Sequence, residues 1–390
     1  MAIPWKALAV MALALATAQA QQSTLDLFKA AAKGGKVALQ QLRTRAEQGD
    51  SEAQRLLGAL YAEGNGVPKD SPLAVQWFRK AAQQGNSDAQ ASLGFHYENG
   101  DGVPKDSAQA AQWYRKAAEQ GDPGAQFNLG NLYADGEGVP KDMAAAVDWY
   151  SKSAERFSAM GQFNLAALPQ LRVGLILENG DGVPKDPARA AESYRKAAEQ
   201  GNAEAQQRLG WMYSFGNGVP KDEALAIQWL RKAGDQGNAS AQFELGLMYD
   251  GGLQRNSTTG KFEVATPKDA AQAAQWYRKA AEQGFSAAQT NLASMYYFGK
   301  GVPKDVTQAA EWYRKAADQG DETGQNNLGS MYLEGEGVPK DFVVAYMWFN
   351  LAAAHGVDGA KRNRDIVEAQ MTPDQIAEAQ RLSREWKPTR

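Results

Sequence analysis

The chain has 390 residues, of which 43% are hydrophobic and 22% charged, and its formal net charge is −3. Lys/Arg and Asp/Glu alternate throughout, which excludes a polycationic nucleic-acid binder and gives no electrostatic reason for an anionic membrane partner. There is no Cys and there are two His, so thiol nucleophiles, disulfides and Cys/His metal centres are excluded, and no metal or cofactor is expected.

Residues 1–20 read as a secretory signal. Lys6 is the positive n-region, Ala7 to Ala16 form a short apolar stretch, and Ala18-Gln19-Ala20 is an Ala-x-Ala cleavage site. The stretch falls short of the ~20 residues that span a bilayer. Cleavage before Gln21 and no membrane span afterwards are therefore expected. Residues 21–50 predict a capping pair, a short helix and then a degenerate one ending Ala46-Glu47-Gln48-Gly49.

From 51 to 356 the chain repeats. Gly-Val-Pro-Lys-Asp begins at Gly66, Gly102, Gly138, Gly182, Gly218, Gly301 and Gly337, and Thr266-Pro267-Lys268-Asp269 is a diverged copy. The period is 36 residues, with insertions of 8 near 159–168 and 11 near 251–264. Each unit reads as two helices. In the third, Asp122 is an N-cap, and Ala125, Leu129, Leu132 and Tyr133 share one face at i, i+4, i+7 and i+8. Gly136 and Gly138 supply positive φ, Pro140 stops the first helix and Asp142 caps the next. Ala146, Trp149, Tyr150 and Ser153 then face inward. Eight such units predict an all-α fold, a superhelical α/α solenoid of antiparallel helix pairs.

Trp77, Trp113, Trp149, Trp229, Trp276, Trp312 and Trp348 hold one second-helix position. Gly58, Gly94, Gly130, Gly210, Gly246, Ala293 and Gly329 hold one first-helix position. Glycine inside a helix costs roughly 0.5–1 kcal/mol against alanine, so its recurrence implies a close approach under a bulky aromatic, here the Trp series. In the fourth unit, Gln162-Phe163-Asn164-Leu165 and Gln170-Leu171-Arg172-Val173 both fit the first-helix pattern eight residues apart, which predicts a first helix lengthened by two turns and kinked at Pro169. In the sixth, Thr259-Gly260-Lys261 reads as a hairpin tip. Residues 357–370 and 373–386 predict two closing helices, the last capped by Thr372 with Pro373 in its first turn.

These patterns resemble the Sel-one-like repeat family, a branch of the tetratricopeptide-repeat superfamily. They are Ala-Gln-x-x-Leu-Gly-x-x-Tyr-x-x-Gly at Ala125–Gly136, Gly-Val-Pro-Lys-Asp at Gly138–Asp142, and Ala-x-x-Trp-Tyr-Arg-Lys-Ala-Ala-x-Gln-Gly at Ala110–Gly121. The tail Ala345-Tyr346-Met347-Trp348-Phe349-Asn350-Leu351-Ala352 with Met371-Thr372-Pro373 is similar to the end of bacterial members. The resemblance implies a right-handed superhelix whose first helices line a concave face, and a role as adaptor, assembly factor or regulator. Together with the signal it implies the periplasm of a Gram-negative bacterium, or secretion as second choice.

Binding residues are sought on the first-helix positions that the packing pattern leaves over. One position holds Ser92, Asn128, Arg208, Glu244, Asn291 and Asn327. Three residues on, another holds Phe95, Asn131, Trp211, Leu247, Ser294 and Ser330. Asn128, Asn131, Asn291 and Asn327 suit hydrogen bonds to an extended peptide, Arg208 suits a carboxylate, Glu244 is the acid in the same row, and Trp211 suits an anchor. The expected function is binding of a protein or peptide of the cell envelope, with glycan or peptidoglycan binding as the alternative. A β-lactamase-like envelope enzyme is the weaker alternative: Ser193-Tyr194-Arg195-Lys196 matches Ser-x-x-Lys, but neither Ser-Asp-Asn nor Lys-Thr-Gly occurs, and Ser193 stands at the Trp position. No catalytic residue is assigned. Lys361-Arg362-Asn363-Arg364 reads as a solvated face.

Overall fold

The computed structural model describes residues 23–251, 253–255, 262–264 and 269–389. The signal segment 1–20, the Thr259 to Lys261 tip and Thr266 to Lys268 lie outside these. The chain divides into two compact units, one ending at Gln200 and the other beginning at Gly201.

The first unit contains α1 (23–32), then α2 Lys36–Glu47, α3 Ser51–Glu63, α4 Ser71–Gln83, α5 Ser87–Asn99, α6 Ser107–Glu119, α7 Pro123–Asp135, α8 Met143–Ala159, α9 Phe163–Asn179 and α10 Pro187–Glu199. The second contains α11 Ala203–Phe215, α12 Glu223–Asp235, α13 Ala239–Asp250, α14 Ala270–Glu282, α15 Ser286–Phe298, α16 Val306–Asp318, α17 Glu322–Glu334, α18 Phe342–Ala354, α19 Asp358–Glu368 and α20 Pro373–Glu385. Within each unit successive helices pack on one another as antiparallel pairs, so the fold is an α-solenoid. Two short strands, β1 Leu253–Arg255 and β2 Phe262–Val264, pair antiparallel between α13 and α14 with Gln254 opposite Glu263.

The loop motif works locally and across repeats. Asp106 accepts the N–H of Gln109 at 2.9 Å and caps α6, while its own N–H donates to the Tyr97 carbonyl at 2.8 Å. Gly100 ends α5 at φ 72°. Gly102 acts between repeats. At φ 78° it rests on the start of α4, and a Cβ there would come within 2.4 Å of the Ser71 carbonyl. The second glycine of the motif thus lets each loop lie on the repeat before it.

The inter-helix contact corrects one expectation. The helix glycines do lie under aromatics, but not under the Trp series. A Cβ on Gly58 would meet Phe78 at 2.9 Å, on Gly94 Tyr114 at 2.6 Å, on Gly130 Tyr150 at 2.8 Å and on Gly246 Tyr277 at 2.4 Å. In each of these pairs the residue after the Trp, not the Trp itself, turns onto the glycine. Trp77, Trp276 and Trp348 are buried, whereas Trp113, Trp149, Trp229 and Trp312 are only partly so. Six of the seven Trp rings are covered by the Lys one turn later, with Nζ 3.9–4.4 Å from the centroid. Trp348 has Leu351 there and packs edge-on to Trp386 instead.

Polar staples join the repeats. The buried Gln90 amide donates to the Ala82 carbonyl of the preceding repeat at 3.1 Å and accepts from Gln120 at 2.7 Å. Gln54, Gln242 and Gln289 do the same. On the outer rim, Arg79, Arg115, Arg231 and Arg278 each donate to the tyrosine hydroxyl of the following first helix.

The eight-residue insertion is also shared differently than expected. α8 and α9 each have 17 residues where most first and second helices have 13, so each gains one turn rather than α9 alone gaining two. α9 continues through Pro169. The tip between the two helices leaves Met160, Phe163, Leu165 and Leu168 about half exposed.

Candidate binding face

The leftover first-helix positions bracket the glycine on which the second-helix aromatic lies. The phenol end of that ring therefore emerges among them. Tyr114 donates to Glu98 at 2.6 Å and faces Asn128 of the next repeat. Tyr150 donates to Asn131 at 2.7 Å. Tyr277 faces Asn291, and Tyr313 faces Ser294 and Asn327. Burial pushes the Tyr114 and Tyr277 hydroxyls up from their ordinary value, and the Tyr150 and Tyr313 hydroxyls up to about 12. These Asn positions are therefore not left over by packing. They serve as polar neighbours of the tyrosines, an inter-helix relationship that a first-helix alignment does not display.

The repeat formed by α11 and α12 breaks the rule. Leu230 replaces the tyrosine on Gly210, with Cγ 2.7 Å from where a Cβ would be. Among the described residues no phenol bonds Glu244 on α13. Its carboxylate accepts instead from the Gln207 amide on α11. Burial pushes Glu244 up to about 7, with Gln207 and Arg208 acting against that rise. Arg208 is in turn held by Glu204 at 3.3 Å.

One turn beyond Arg208 and Glu244 stand two apolar side chains, Trp211 and Leu247, both exposed by more than a third. The Trp211 ring lies 4.9 Å from Phe215, itself 67% exposed. Arg208, Trp211 and Glu244 are thus brought to one place on two adjacent first helices. Asn291 and Asn327 stand one and two repeats further along the second unit, and Asn128 and Asn131 belong to the first. The exposed Phe215, and Phe298 at the same place on α15, were missed; both are last residues before a C-cap glycine, outside the i, i+3 row that was read.

Elsewhere the side chains are engaged structurally. Ser193 is buried on α10 and Lys196 pairs with Glu192 at 2.9 Å. His96 is buried with Nδ1 2.7 Å from the Asp101 carbonyl, and His355 Nδ1 lies 3.0 Å from the Leu351 carbonyl. A recess between α1 and α2 touches none of the candidates. No described helix is long and apolar enough to cross a membrane.

Comparison with known proteins follows the same repeat boundaries. The Sel1 repeat model matches residues 51–86, 87–122, 123–156, 159–202, 203–238, 239–285, 286–321 and 323–357. The crystal structure of a Sel1 repeat protein from Oxalobacter formigenes is 33% identical, with 86% of this chain and 92% of that one covered and a TM-score of 0.65. A protective antigen of uropathogenic Escherichia coli displaying an SLR fold is 32% identical, with 89% and 94% covered and a TM-score of 0.32. No curated protein matches the chain. Eight successive matches over helix pairs of this geometry show that the chain belongs to the Sel1 repeat family.

Proposed function

We propose that this chain is an exported, non-catalytic scaffold that binds a protein or peptide of the cell envelope on its first-helix wall, the wall that the family resemblance makes concave. Sel1 and tetratricopeptide repeats form protein–protein interaction scaffolds. The observation that carries the reading is Trp211. It is exposed on a first helix beside Phe215 and Leu247, while the repeated Trp residues are engaged in packing or lysine contacts. An exposed aromatic flanked by charge is how interfaces present an anchor. The test is a pull-down from an envelope fraction with wild-type chain and with Trp211→Ala combined with Arg208→Ala, folding being followed by circular dichroism. The double variant is expected to lose the partner and keep its helices. Unchanged capture overturns the reading.

Periplasmic location rests on the Lys6, Ala7–Ala16 and Ala18-Gln19-Ala20 pattern. Cell fractionation with N-terminal sequencing of the mature chain tests it, with Gln21 expected first. A second reading, glycan binding, is favoured by the Trp211 and Phe215 rings, whose faces suit sugar stacking. Retention on purified peptidoglycan without a protein partner would select it.

A further inference from the structure

We propose that Glu244 and Trp211 together form a receptor for one basic side chain of the partner, a lysine or arginine whose charge lies against the carboxylate and whose stem lies on the indole. The inference deepens the proposed function and rests on it.

Glu244 is a partly buried acid whose hydrogen-bond partner is a neutral amide, Gln207. Among the described residues it forms no ion pair. The one cation acting on it, Arg208, is drawn back by Glu204, one turn earlier on the same helix. Glu204 and Glu244 thus both act on Arg208, which among the described residues does not form an ion pair with Glu244. At Asn128, Asn291 and Asn327 the equivalent polar group faces the tyrosine hydroxyl of the repeat before it. Here Leu230 supplies no hydroxyl. An opposite charge placed beside this carboxylate favours the ionised form that burial disfavours.

The indole supplies the other half of the receptor. This chain places a lysine ammonium over an indole in six of its repeats, 3.9–4.4 Å from the centroid. Trp211 is exposed and, among the described residues, carries no cation over its ring. It stands one turn from Arg208, which shares an environment with Glu244, and Leu247 stands one turn from Glu244, so an aliphatic stem has apolar surface to follow.

The probe is a fluorescein-labelled tri-lysine peptide, with a tri-glutamate peptide as control, titrated into the full chain at about pH 8 and about pH 6, on either side of the Glu244 value. The lysine peptide is expected to bind more tightly at the higher pH. Glu244→Gln is expected to weaken it by roughly tenfold and to remove the pH dependence; Trp211→Leu weakens it at both pH values. Equal affinity of wild type and Glu244→Gln, or failure of the wild type to prefer lysine over glutamate, overturns the inference. The envelope pull-down separates the two failures. Capture lost in the Trp211/Arg208 double variant but kept in Glu244→Gln sinks this inference alone, and capture kept in both sinks the proposed function as well.

Discussion

The Tyr114 ring lies directly on Gly94, close enough that a Cβ at that position would come within 2.6 Å of Cδ1. Gly94→Ala adds helix propensity worth up to about 1 kcal/mol, yet forces a fully buried ring to move. The steric term wins, and the substitution is expected to destabilise the first unit by roughly 1–3 kcal/mol in urea denaturation. Ala293, which natively holds this position in one repeat of the second unit, tests the converse. Ala293→Gly opens a small gap and adds flexibility, and it is expected to lower the midpoint rather than raise it.

Gln90 serves three helices at once, through Ala82 on α4 and Gln120 at the end of α6. Gln90→Leu keeps the volume but removes the two side-chain hydrogen bonds, leaving the Ala82 carbonyl its backbone N–H from Gly85 and the Gln120 amide its weaker contact to the Lys116 carbonyl. A loss of about 1 kcal/mol is expected, measurable as a shift of the urea midpoint. Gln90→Glu should fail similarly, because its oxygens cannot donate to Ala82. If either variant melts like wild type, the staple is not structural.

Two tyrosines in equivalent positions should respond differently to loss of the hydroxyl. Tyr114 donates to Glu98, whereas the buried Tyr277 hydroxyl completes no hydrogen bond among the described residues. The reason is one methylene: Asp250 stands where the first unit has Glu98 and Glu178, and Lys300 holds it at 2.7 Å. Tyr114→Phe is expected to cost about 1 kcal/mol, while Tyr277→Phe is neutral or stabilising. A comparable loss in both would contradict the assignment.

Glu244 makes stability depend on pH with a definite sign. Its folded-state value, about 7, lies above the ordinary 4.5, so the native chain holds this proton more tightly than the unfolded chain. The contribution is full below about pH 4.5 and declines as pH rises through about 7, by an amount on the order of 3 kcal/mol. Glu244→Gln is expected to abolish that decline and to be more stable than wild type at about pH 8. Parallel pH profiles of the two proteins would refute the sign.

Much of this architecture was readable in residue order because caps and glycine stops are local devices: Asp106, Asp122 and Gly100 announce helix ends without reference to anything distant. What escaped was relational. Trp113 and Tyr114 are chain neighbours about 100° apart around the helix, and both suit an interior, so which one meets Gly94 is decided by how the helices cross. Asn128 and Asn327 looked free because their tyrosine neighbours come from another repeat. The Glu244 site did leave a trace in the alignment: Leu230 is the aliphatic residue in a column otherwise filled by Tyr or Phe.

The paired lengthening of α8 and α9 has a consequence for how such a chain diversifies. Four extra residues are close to one full revolution, so each helix returns its inward residues to nearly the same azimuth beyond the addition. Growth by matched revolutions on two touching helices raises a crest at their shared end while neighbouring layers keep their spacing. Novel surface can be acquired that way at any rung, without renegotiating the rungs on either side.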